Sequence, residues 1–299
     1  MGSLKALLIA GGVALAATSV AKAADLLPPA PPVEPVAPPM EFSGWYLRGD
    51  VGMALNMTTP KLTDTPNPLV GLPADAFNSF YNPTISGAGL FDIGVGYQFN
   101  SWLRFDVTGE YRGGSHFQAL EQVGIPSTST QFADFYRGSL SSYILMANGY
   151  VDLGTWYGVT PFVGAGIGWA QNHLDGVTDT GFAYIGPGAT GSPTGGFFDN
   201  GTTNNFAWAL MAGLDFDVTQ NLKLELGYRY LSYGTAKTGA SHCFNGTGAG
   251  GGFSAGSCGG SAHYISTDRL ASSDFRLGLR WMISDVPTYA PPPPIVTKY

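Results

Sequence analysis

The residues of this chain that could do chemistry are four histidines, two cysteines and a set of arginines and carboxylates that recur in strict alternation. Cys243 and Cys258 lie in one Gly-rich stretch. Two cysteines in an exported chain, as argued below, point to a disulfide that orders a loop. Closing a loop of that size constrains the unfolded chain by about 3 kcal/mol. A thiol metal site is the weaker alternative, because two cysteines do not complete a tetrahedral shell. His116, His173, His242 and His263 could ligate a metal or haem iron. All four fall in long connections between elements, where an imidazole is ordinarily solvated. A hydrolase needs a nucleophile beside a base, and the nearest such pair is Ser115-His116. Adjacent side chains of an extended chain point apart, so the pair makes no dyad. The expectation is no enzyme, no metal and no resident cofactor.

The charged residues are positioned by a period of two. From Trp102 to Arg112 the even positions read Trp, Arg, Asp, Thr, Glu, Arg and the odd ones Leu, Phe, Val, Gly, Tyr. That period is strand geometry, and it assigns every charge to one face. Applied throughout, it predicts eight strands: Ser43 to Leu55, Gly87 to Phe99, Trp102 to Arg112, Leu140 to Leu153, Gly158 to Ala170, Asn205 to Val218, Leu222 to Gly234 and Ser273 to Ile283. One phase of these strands collects Arg48, Arg104, Arg112, Lys223, Arg229, Arg276 and Arg280 against Asp50, Asp92, Asp106, Glu110, Asp152, Asp215, Asp217, Glu225 and Asp274. The other phase holds no ionised group.

Alternation alone also fits a water-soluble sandwich. Three features separate the two. The connections alternate in length: Asn100-Ser101, Gly154 to Tyr157 and Thr219 to Asn221 are short, whereas Asn56 to Ser86, Gly113 to Ser139, Gln171 to Asn204 and Thr235 to Ser272 are long. Short turns on one rim and long loops on the other mark an outer-membrane barrel, with the turns in the periplasm. Aromatic residues such as Trp45, Tyr97, Tyr111, Tyr143, Trp169, Phe206 and Trp281 sit near the ends of the uncharged phase, where headgroup-level rings belong. Each segment, at about 10 to 14 residues, is long enough for a tilted strand to cross hydrocarbon. The fold expected is all-β, an eight-stranded antiparallel up-and-down transmembrane β-barrel. Its lumen is expected to be filled by a packed salt-bridge network, since charges in low dielectric must pair.

The ends of the chain set its compartment. Met1 to Val20 carries one basic residue and then a short apolar run, closed by Ala21-Lys22-Ala23, so residues 1–23 read as a signal peptide. The mature chain would begin Ala24-Asp25 and carry 12 basic against 21 acidic residues, net −9. That balance excludes a nucleic-acid partner. Residues 24–42, with seven prolines from Pro28 to Pro39, read as an extended periplasmic linker, and residues 285–299 as a Pro-rich periplasmic tail. The barrel proper would span 43–284.

These residues together resemble the Omp25/Omp31-type outer-membrane proteins of alphaproteobacteria, eight-stranded barrels related to the transmembrane part of OmpA-type proteins. The resemblance is carried by Ala24-Asp25-Leu26 followed by prolines, by Phe42 to Gly52 (FSGWYLRGDVG), by Thr160 to Gly168 (TPFVGAGIG) and by Phe275 to Trp281 (FRLGLRW). It implies a place in the Gram-negative outer membrane, among phospholipid and lipopolysaccharide, and a last strand read by the barrel-assembly machinery. Arg276, Gly278, Trp281 and Ile283 hold the polar, glycine, aromatic and hydrophobic places of that signal. The resemblance further implies a tether: some relatives join peptidoglycan through an exposed Ala-Asp terminus, which here would be Ala24. The function expected is a structural barrel that supports envelope integrity and displays outer loops. The alternative is a narrow porin or a haem- or ligand-binding surface receptor using the loop histidines.

Overall fold

The computed structural model describes residues 43–56, 61–67, 69–188, 191–244, 253–254 and 262–283. The expected signal peptide, linker and tail, with Ala24, lie outside the described residues.

Eight long strands form the wall: β1 (Gly44–Asn56), β4 (Ala88–Gln98), β5 (Leu103–Ile125), β6 (Thr130–Asp152), β7 (Val159–Tyr184), β9 (Gly201–Asp217), β10 (Leu222–Gly234) and β14 (Leu270–Met282). The pieces between them are β2 (Leu62–Thr65), β3 (Phe77–Ile85), β8 (Ser192–Phe198), β11 (Ser241–Phe244), β12 (Phe253–Ser254) and β13 (Tyr264–Thr267), with one short 3₁₀ turn, Pro126–Thr128. Every pairing is antiparallel. The order β7-β6-β5-β4-β1-β14-β10-β9 returns on itself because β9 also pairs with β7, from Val159↔Phe216 to Leu174↔Gly201. The eight strands therefore close into a ring with no free edge inside that span.

The pleat sorts side chains as the alternation requires. Along β14, Phe275, Leu277, Leu279 and Trp281 are exposed, while Asp274, Arg276 and Arg280 are buried. Exposed apolar side chains over a whole wall are tolerable only against hydrocarbon.

The strands differ from expectation in their reach. β5 and β6 run 23 residues each and β7 runs 26, so the stretches expected as the long loops 113–139 and 171–204 are largely strand. The hairpin joining β5 and β6 turns only at 126–129. The physical reason lies at Gly113-Gly114, where the β5–β6 register skips from Arg112↔Ser142 to Ser115↔Leu140. A bulge of this kind inverts the phase, so the inward positions pass from even (Arg104 to Arg112) to odd (Ser115, Phe117, Ala119, Glu121). A fixed parity reads that inversion as the end of the strand. Beyond the bulge, β3, β5, β6, β7 and β8 form a platform that continues for about 35 Å along the strand direction.

The inside–outside assignment predicts a sharp asymmetry. Leu277→Arg, on the outward face near mid-strand, should lower folding stability in lipid vesicles by about 2–4 kcal/mol. Denaturant titration of the reconstituted protein, read by tryptophan fluorescence, would measure it, and a neutral result would place that face away from lipid.

Candidate functional site

Inside the ring the inward phase builds a continuous ionic network. On β1, Arg48 reaches Asp50 at 2.8 Å, Asp106 at 2.9 Å and Glu225 at 2.9 Å, and donates to the Tyr150 hydroxyl at 3.0 Å. Towards the short-turn rim, Arg104 pairs with Asp152 at 3.1 Å, Glu225 at 3.3 Å and Asp215 at 3.5 Å, while Arg280 also binds Asp215. The Arg104 guanidinium carbon lies 4.3 and 4.6 Å from the ring centroids of Tyr150 and Phe162, so two aromatic rings flank it beside its ionic partners. Towards the long-loop end, Arg112 holds Glu110 at 2.7 Å and Asp274 at 2.8 Å, and Arg229 holds the same two carboxylates.

The ring geometry dictates this sharing. Asp50, Asp92 and Glu110 stand directly opposite one another on β1, β4 and β5, a row of like charges that would repel if left alone. Arg276 sits between the first two, at 3.1 Å from Asp50 and 2.7 Å from Asp92, and Arg112 with Arg229 serves Glu110. Of the sixteen charged residues expected in the lumen, fourteen are buried there, as six guanidiniums and eight carboxylates. Lys223 and Asp217 are the exception. They pair with each other at 2.6 Å on the short-turn rim, 19% and 38% exposed, because both lie at strand ends where water reaches the ring.

A cavity lined by Tyr150, Phe162, Met211, Glu225, Arg229 and Arg276 measures about 10 Å³, room for one water at most. Above the network the mouth is closed by apolar packing. Leu62 of β2 and Ile265 of β13 enter one buried cluster with Phe117, Tyr136, Ile144, Leu174, Leu231 and Leu270. β2 and β13 pair with each other from two different connections. Their ends are fastened to neighbouring backbone: the Asp268 amide donates to the Lys61 carbonyl, and the Thr267 amide to the Ala236 carbonyl. Sequence reasoning treated these connections as surface loops; the signal missed is the pair of apolar residues, Leu62 and Ile265, inside otherwise polar stretches.

The platform holds a second, acidic group of residues that the fixed parity hid. Glu121 and Asp134 are directly opposed on β5 and β6, with Asp179 on β7 and Asp64 on β2 nearby. Glu121 accepts from the Tyr136 hydroxyl and from Asn78 Nδ2, each at 2.6 Å. Asp64 faces His263 at 3.2 Å. Burial pushes the Glu121 carboxyl up to about 7, against the hydrogen bond from Tyr136. Burial, reinforced by the carboxylates of Asp134, Glu121 and Asp64, pushes Asp179 up to about 8.

The remaining expected residues are dispersed. Two of the four histidines stand in wall strands, not in loops, because those strands run on, His116 in β5 and His173 in β7; His242 stands in β11, a short strand within the last long connection. His173 contacts Thr202 and Gln171, His242 stacks on Phe197 beside Asp199, and His263 meets Asp64. No group of three His, Cys, Asp or Glu among the described residues converges as a metal site. Ser115 is buried and His116 exposed, on opposite faces of β5. Cys243 is disulfide-bonded, and Cys258 lies outside the described residues. On β14, Arg276 points inward and Trp281 outward.

A closed antiparallel ring with an apolar outer wall and an ionic interior defines a membrane barrel. The profile of the outer membrane protein beta-barrel domain matches residues 13–256, and the chain belongs to that family; its place is the outer membrane. An uncharacterized protein of Brucella abortus (strain 2308) is 35% identical over 202 residues, covering 63% of this chain and 68% of its own. A Rickettsia conorii protein named "putative adhesin" is 30% identical over 206 residues, 64% of this chain and 70% of its own. The crystal structure of Neisserial surface protein A aligns with 81% of this chain and 98% of its own, at 16% identity and a TM-score of 0.38.

Removing one partner of the network should expose its cost. Arg104→Met leaves Asp152, Asp215 and Glu225 short of a cation and should destabilise the barrel by about 3–5 kcal/mol. The midpoint of the heat-dependent mobility shift in gel electrophoresis reports it. A second prediction concerns pH. Glu121 and Asp179 bind protons more tightly in the folded platform than in the unfolded chain, so their contribution is complete below about pH 4 and is lost as pH rises through about 7 to 8. Hydrogen-exchange protection factors of β5–β7 beyond the bulge, after correction for the intrinsic rate at each pH, should be higher at pH 5.5 than at pH 8.5. Glu121→Gln with Asp179→Asn should flatten that difference.

Proposed function

We propose that this protein is a non-conducting structural barrel that reinforces the outer membrane and presents its extended β-sheet platform as a contact surface. The observation that carries the reading is the doubly closed interior, ionic side chains packed within the ring and an apolar layer across its mouth. A pore needs a continuous wet path, and the one-water cavity does not supply it. A narrow porin or a histidine-based haem receptor is disfavoured for related reasons, since His116, His173, His242 and His263 each keep separate neighbours.

The platform supports contact as its role. Its outward face sets Tyr81, Leu120 and Phe135 side by side across β3, β5 and β6, with Phe182 and Tyr184 further along β7. Tyr81, Leu120, Phe182 and Tyr184 are exposed, well beyond the aromatic residues Tyr111 and Tyr143 that mark the outer edge of the lipid zone. An aromatic patch held on a paired sheet offers large contact area at little ordering cost. The name of the Rickettsia relative agrees with such a role. At the other end, a mature Ala24 terminus would join peptidoglycan through the proline spacer, and Arg276, Gly278, Trp281 and Ile283 would present the last strand to the assembly machinery.

Planar-bilayer recording of the purified protein separates the readings. The expected trace is quiet, with at most brief irregular openings; regular, sustained steps of conductance would make it a porin. Muropeptides released by wall digestion should include an Ala24-linked fragment, and their lack would remove the tether.

A further inference from the structure

The lipid-facing wall has a slot in it. Where β1, β4 and β5 approach their long-loop ends, Gly89 and Gly113 lie directly opposite each other on the outward face, next to Met53. The bare backbone of Gly89 opens a cavity of about 390 Å³ walled by Val51, Leu90, Phe91 and Tyr111, whose ring folds over Gly113. A Cβ added at Gly89 would meet nothing within 4 Å, so this glycine creates space and does not serve a close backbone approach. The slot ends at the Gly113-Gly114 bulge, where Gly114, with φ +80°, has no partner in the ladders of β4 or β6.

Beyond the slot, the outward faces of β5 and β6 carry one guanidinium and no carboxylate. The next outward residues on β5 are His116 and Gln118, and Gln118 stands opposite Arg137 on β6. The Arg137 guanidinium lies 4.7 Å from the centroid of the Phe135 ring, which holds it against the sheet. The acids of these two strands, Glu110, Glu121 and Asp134, belong to the inward phase. The nearest outward carboxylate is Asp175, opposite Ser139 on β7. An uncharged slot continuous with the lipid-facing wall, followed by the bulge and then by the His116 imidazole and the Arg137 guanidinium, matches the order of groups along an acidic lipid.

We propose that the slot is a specific site for one anionic outer-leaflet lipid, an acyl chain lying over Gly89 and its phosphate meeting His116 and Arg137. Such a site would anchor the barrel to its surrounding leaflet and steady the root of the platform.

Native mass spectrometry of the protein released from non-ionic detergent tests this, with dimyristoyl phosphatidylglycerol as the probe. One retained lipid per barrel is expected. Gly89→Leu should lower its occupancy about tenfold, because it displaces roughly two buried methylenes. Met53→Trp, leaning over the slot from β1, should act in the same direction if Gly89→Leu fails to insert. Arg137→Gln should weaken retention several-fold, and dimyristoylglycerol, which has no phosphate, should bind correspondingly less. Gly109→Leu, at another open position on the same wall, should change nothing. Equal retention by the native and slot-filled chains would overturn the proposal. So would equal retention of the uncharged lipid, or a two-chain species that Gly89→Leu abolishes, which would make the slot an interface between copies.

Discussion

Hydrocarbon offers no hydrogen bond, and the rest of this structure follows from that constraint. Each backbone amide and carbonyl within the bilayer must be satisfied by the chain itself, and for strands this requires a sheet that meets its own edge. The β7–β9 pairing performs the closure. Once the sheet is closed, the pleat leaves two destinations for side chains, lipid outside or the ring inside. The ionised residues of the spanning segments then have one place to go.

An eight-strand ring is narrow enough that those residues touch. Carboxylates on adjacent strands fall opposite one another, and the arginines that separate them are shared: Arg48 serves three carboxylates, Arg104 three, and Arg112 and Arg229 both serve Glu110 and Asp274. Guanidinium is suited to this, because its fixed fork satisfies several acceptors at once while aromatic rings such as Tyr150 and Phe162 pack beside it. Such a network contributes little net stability over an apolar filling, yet it is costly to break and fills the bore. Tyr233 over Arg112 joins it to the apolar cap, so ionic and apolar layers form one continuous plug.

Much of this was legible in the sequence because the lipid makes the pattern severe. In β14, Asp274, Arg276 and Arg280 against Phe275, Leu277, Leu279 and Trp281 already state which face is wet. What was not legible had specific causes. The two-residue bulge at Gly113-Gly114 reverses the parity, so Phe117, Ala119 and Glu121 read as loop when they continue β5 inward. His116 reads as loop for the same reason, whereas His173 lies where β7 runs on in unbroken phase through the polar residues Gln171 and Asn172. The cap escaped notice because Leu62 and Ile265, 203 residues apart, signal nothing singly and become a closure only when β2 pairs with β13. Lys223 and Asp217 share the charged phase, but their height in the ring, at the rim, is set by where each strand ends.

The sequence by itself determined the strand phases within the spanning segments, the side that faces lipid, the number of spanning strands and the fourteen ions buried in the ring. These are local properties, since a period of two and the exclusion of charge from hydrocarbon act residue by residue. Only the tertiary structure decided which arginine bridges which carboxylates, that the mouth is sealed, how far the platform extends and that Gly89 and Gly113 adjoin to form a slot. Each of these depends on register between distant strands, which is a property of the closed ring and not of any one segment.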